Sequence, residues 1–66
     1  MVKEIVLILL LINGEISLPS FPFEGTVHEC FKYGDKLRVE LATYKEERNA
    51  WFLKDRTGTW QGYYCN

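Results

Sequence analysis

The sequence predicts an α+β fold, ββαββ, in which a four-stranded antiparallel sheet carries one helix on one face. Three observations predict it. The apolar run Ile5 to Ile12 is closed by Asn13-Gly14, the strongest short-range hairpin signal. Thr26-Val27-His28-Glu29 has the form of a capping box, and apolar residues then recur every three or four positions. The C-terminal stretch is aromatic and is interrupted by Asp55-Arg56-Thr57-Gly58, a second turn. With 66 residues the chain has room for a single domain, residues 1–66.

The N-terminal run resembles the apolar core of a secretory signal, but its flanks do not. Lys3 is offset by Glu4, and Asn13-Gly14-Glu15 stands where small residues would mark cleavage. The run is also too short to span a bilayer. A buried strand is the expectation. With Asn13-Gly14 as a two-residue turn, Leu11 faces Ile16 and Leu9 faces Leu18. Leu7, Leu9, Leu11, Ile16 and Leu18 then share one face, and Val6, Ile8, Leu10 and Ile12 share the other with Glu15 and Ser17. The first strand, apolar on both sides, belongs in the middle of the sheet. The second belongs at an edge, where Pro19 is tolerated.

Ser20 to Gly25 reads as a connection, with Phe21 and Phe23 placed to close the end of the core. The helix follows. Val27, Cys30, Phe31, Gly34, Leu37, Leu41 and Tyr44 form its apolar stripe, and it is expected to run to about Arg48, with Asn49 near its end. Gly34 on that stripe implies a close backbone approach to the sheet. Residues 51–54 and 59–65 read as the last two strands. A central first strand and a right-handed crossover give the order 2-1-3-4.

Eight basic and nine acidic residues give a net charge of −1. That lacks the basic excess on which phosphate binding depends, so no nucleic-acid partner is expected, and no membrane partner either. Two cysteines and one histidine fall short of a four-ligand zinc site; no metal and no cofactor is expected. Cys30 and Cys65 read either as two buried thiols, the leading expectation, or as one bridge closing a loop of roughly 35 residues.

No catalytic residue stands out. His28 and Cys30 fall roughly 200° apart around the helix and cannot pair. Glu46-Glu47 between Lys45 and Arg48 reads as a solvated helix end, and Gly58 and Gly62 match no phosphate-binding loop. The aromatics of the last two strands are the better lead. One helix covers only one sheet face, so the other face should expose apolar surface, and such patches mark interaction sites. The expected partner-binding residues are Ile8, Leu10, Ile12, Phe52, Trp60, Tyr63 and Tyr64. The expected occupant is a second copy of the chain, giving a homo-oligomer; a foreign protein is the competing one.

The strand ending INGE, the helix opening HECFKYGDKLR and the tail WFLKDRTGTWQGYYC resemble short auxiliary proteins of unknown function carried by marine cyanophages, over nearly the whole chain. The resemblance implies synthesis in an infected host's cytoplasm and a role in redirecting host machinery. The residues add the expectation that the protein is non-enzymatic and acts by binding another protein, with a host protein as the expected target. It carries over no binding or catalytic residue. The alternatives are a secreted, disulfide-closed module and a cysteine-dependent enzyme using Cys30 or Cys65.

Overall fold

A computed structural model describes residues 2–66. Strand β1, Val2–Leu11, is apolar on both faces over most of its length, and it lies inside the sheet with partners on both edges. On one edge it pairs with β2, Ile16–Ser17, and with β3, Ser20–Glu24. Helix α1, Val27–Leu41, then crosses the sheet. Strands β4, Ala42–Lys45, and β5, Ala50–Leu53, lead back inward to β6, Gly58–Cys65, which lies on the other edge of β1. The order is β2-β1-β6-β5-β4, with β3 beside β1, and every pairing is antiparallel.

The expected α+β class, central first strand and edge second strand all hold. The expected four strands and the order 2-1-3-4 do not. Six strands form over the described residues, and the last strand, not the one before it, neighbours β1. Length accounts for this: β6, with 8 residues, can match the 10 of β1, whereas β5 has only 4.

Three local expectations also give way. The β1–β2 hairpin turns through three residues, Ile12-Asn13-Gly14. The Gly14 N–H donates to the Leu11 carbonyl, the Leu11 N–H donates to the Glu15 carbonyl, and Gly14 takes φ +88°. That is a type I turn closed by a left-handed glycine, in place of the two-residue turn. Leu10 therefore pairs with Ile16 and Leu9 with Ser17, a slip of one residue that moves Ile16 to the opposite face.

Ser20–Glu24 is not a bare connection but β3. Pro22 is accommodated because its neighbour Glu4 exchanges both backbone hydrogen bonds with Asn66 on the far side, so no bond toward Pro22 is required. The helix stops at Leu41 instead of reaching Arg48. Ala42 is already extended, and the β-formers Thr43 and Tyr44 continue as β4. Asn49, at φ +51°, ends the turn Glu46–Asn49 between β4 and β5.

The capping box forms as expected. The Thr26 hydroxyl accepts from the Glu29 N–H at 3.1 Å, and the Glu29 carboxylate accepts from the Thr26 N–H at 2.9 Å. Cys30 and Gly34 are the buried residues of α1. The core between helix and sheet comprises Ile5, Leu7, Cys30, Ala42, Leu53 and Trp60, with Leu37, Tyr63 and Phe23 packed against it. Phe23 closes one end by stacking on Tyr33 at 5.3 Å. Cys30 and Cys65 are joined in a disulfide, so the free-thiol expectation is overturned. The pairing of Ile5 with Cys65 explains the meeting: it places Cys65 on the helix face, directly under the first turns of α1.

Candidate functional site

Ile5 and Leu7 enter the core, so alternation sends Val6, Ile8 and Leu10 to the face without a helix. Directly paired residues of neighbouring strands share a face. The pairs Ile16–Leu10, Leu10–Thr59, Thr59–Phe52 and Phe52–Thr43 therefore draw one row across five strands of that face. Tyr64, paired with Val6, lies lower on it. Val6 is buried, but Leu10 is 37% exposed, Tyr64 46% and Ile16 58%.

Above the row the surface dips into a groove of about 670 Å³ whose apolar lining includes Leu10, Ile12 and Phe52. Lys45, Lys54 and Arg56 also line it. The Lys45 ammonium sits 5.0 Å from the centre of the Phe52 ring, a cation–π contact. Among the described residues the ion pairs are Lys36–Glu40 and Arg38–Asp35, both on the helix. The three groove cations thus have no carboxylate within 4.0 Å there. At the opposite end of the same face Glu4 and Glu24 are exposed, since Glu24 pairs with Val2 and Glu4 alternates with Ile5.

Five of the expected binding residues fall on or beside this face. Ile8, Leu10, Phe52 and Tyr64 lie on it, and Ile12, 84% exposed, sits in the turn at its upper rim. Trp60 and Tyr63 are corrections: both face the helix. The cause is a bulge. Leu9 pairs with Trp60 and Ile8 with Gly62, so Gln61 has no partner and the alternation resets. Trp60 is buried in the core. Tyr63 packs beneath Gly34, its hydroxyl 2.9 Å from the Phe31 carbonyl and 3.0 Å from Asp35 Oδ1. Burial foremost, then the bond to Asp35, pushes the Tyr63 phenol above its ordinary pKa. Sequence reasoning missed Ile16, Thr43, Thr59 and the groove cations. Gly62 inside a strand pattern was the available signal for the bulge.

The other candidates for chemistry lie apart. His28 is exposed in the first turn of α1, and Glu46 and Glu47 are exposed in the β4–β5 turn. Both sulfurs are bonded to each other. Among the described residues no three His, Cys, Asp or Glu side chains cluster as a metal site, and no helix is long and apolar enough to cross a membrane. No protein-family model, curated protein or solved structure matches the chain.

Proposed function

We propose that this chain is a non-enzymatic auxiliary protein that works by docking another protein on its helix-free sheet face. In the setting that the cyanophage resemblance implies, it does so in the host cytoplasm, where a host protein and a second copy of the chain are the competing occupants. The observation that supports this is the uncovered row Ile16–Leu10–Phe52 with Tyr64 below it. Fully burying a large apolar side chain contributes about 1.5–3 kcal/mol, and a chain this small has little stability to forgo. A photo-crosslinking residue placed at Leu10, and separately at Lys36 on the outer side of the helix, tests the reading in producing cells. Protein adducts from position 10 and none from position 36 are expected. Equal yields, or none from either, would contradict it.

The disulfide favours a second reading, a secreted module closed by Cys30–Cys65, because such bonds persist in oxidising compartments. Alkylating thiols at the moment of cell lysis separates the two. Two alkylated cysteines support the cytoplasmic reading, and two protected ones support the secreted module. An enzyme using either cysteine as nucleophile would first have to open that bond.

A further inference from the structure

We infer that the occupant of the helix-free face is a second copy of the chain, arranged so that the acidic end of each copy covers the basic end of the other. The inference rests on reading this face as a docking surface and names what docks there. Its first support is charge. Lys54 and Arg56 lie at one end, where Lys45 reaches over Phe52 into the same groove, and Glu4 and Glu24 lie at the other, with the apolar row and Tyr64 between them. A two-fold contact places the same patch on both sides, so a face charged in this way is complementary to itself when its ends are exchanged. With like ends together, three unpaired cations would meet three more.

The second support is shape. The basic end is hollowed by the apolar groove of about 670 Å³. The acidic end carries an exposed apolar patch instead: Val2 is 65% exposed and lies on the same face as Pro22, with Glu4 and Glu24 around them. A hollow lined in part by three cations thus faces an exposed apolar patch flanked by two carboxylates. Between them, Gly62 opposite Ile8 leaves the middle of the face without a side chain, and a Cβ there would meet nothing within 4 Å. The two-fold axis would cross near Ile8, where each copy meets itself.

The third support is area. The fold measures 39 × 23 × 16 Å, a slab whose broad side is large enough to supply the roughly 800 Å² per partner of an ordinary stable interface.

Sedimentation velocity at tens of micromolar tests the inference. Wild type should sediment as a dimer that weakens with added salt. Ile8→Lys, which brings two ammonium groups together at the axis, should be monomeric, and Tyr64→Lys serves the same purpose should Ile8→Lys fail to fold. Glu4→Lys with Glu24→Lys makes both ends basic, whereas Lys45→Glu, Lys54→Glu and Arg56→Glu together make both ends acidic. Each charge variant alone should self-associate roughly ten-fold more weakly, and an equimolar mixture should recover the dimer as a heterodimer. A folded wild-type monomer would overturn the second copy as occupant, while the crosslinking at Leu10 still decides independently whether the face docks protein. A wild-type dimer that both charge variants leave intact, or whose mixture shows no recovery, would overturn the exchange of ends.

Discussion

Replacing Gly34 with alanine puts a methyl group against the Tyr63 ring. A Cβ at position 34 would stand 2.5 Å from Tyr63 Cζ and 2.6 Å from Cδ2, far inside ordinary contact. The ring is poorly placed to yield. Its hydroxyl is held by the Phe31 carbonyl and Asp35, and the ring lies tilted against Trp60 at 6.2 Å and Phe31 at 6.1 Å between ring centres. The helix cannot easily lift either, because Cys30, one turn earlier, is bonded to Cys65. Overpacking of this kind costs about 1–3 kcal/mol, and losing the Tyr63 hydrogen bond about 0.5–1.5 more. Alanine returns about 1 kcal/mol through helix propensity. The net expectation is a loss of about 0.5–3.5 kcal/mol, measured by urea denaturation followed through tryptophan fluorescence. The partner variant Tyr63→Ala makes room, so the double variant should lose less than the sum of the two single ones. A Gly34→Ala chain that is neutral, or more stable by its propensity alone, would show that the helix does not seat on the sheet at this position.

Reducing the disulfide, or substituting Cys65→Ser, removes a closure across 35 residues and should cost about 3–4 kcal/mol; identical urea midpoints with and without reductant would refute that contribution. Thr26→Ala removes the helix cap and should cost about 1 kcal/mol, read from the same curves. The Thr26 N–H foremost, then its hydroxyl, holds the Glu29 carboxyl below its ordinary 4.5, and the Thr57 hydroxyl foremost, then its N–H, holds Asp55 below 3.8. A depressed folded-state value means that this stabilisation is complete above the ordinary value and is lost as pH falls through the folded one. Urea midpoints should therefore drop as pH falls below about 4.5, and Glu29→Gln should flatten part of that slope; a slope unchanged by the substitution contradicts the assignment. Gly58→Ala drives a Cβ to 2.8 Å from Leu11 Cα and against the backbone carbonyl of Leu10, which cannot move aside like a side-chain tip, so it should destabilise more than Gly34→Ala does.

What could be read from the sequence was what local chemistry determines. Thr26 and Glu29 announced the cap, Gly34 on an apolar stripe announced a close approach, and a first strand apolar on both faces announced its central place. What escaped reading depended on pairing between distant segments. Asn13-Gly14 signals a left-handed turn but does not fix loop length, and one added residue, Ile12, slipped the register and brought Ile16 onto the candidate face. Pro22 masked a strand because the ladder bonds of its neighbour Glu4 run to Asn66, at the other end of the chain. The spacing Leu41–Tyr44 continued the helical period past the point where burial of Ala42 and pairing with Leu53 made a strand the better solution. The bulge at Gln61 turned Trp60 inward beside Tyr63, which no strict alternation anticipates. The candidate face was thus legible in β1, partly so in the last strand, and not at all in its cations, which the β4 and β5–β6 turn geometry assembles.

If a second copy of the chain occupies the helix-free face as inferred, the apolar row there is withdrawn from water. Methyl NMR with a soluble paramagnetic agent tests it most directly. In the purified protein at tens of micromolar, the methyls of Ile8, Leu10 and Ile16 should be shielded, while those of Val27 and Val39 on the exposed side of the helix, 48% and 58% accessible, should relax strongly. Shielding of the first set should disappear in Tyr64→Lys. Equal relaxation of Leu10, Ile16 and the helix valines in wild type would show the row open to water and contradict the second copy as its occupant.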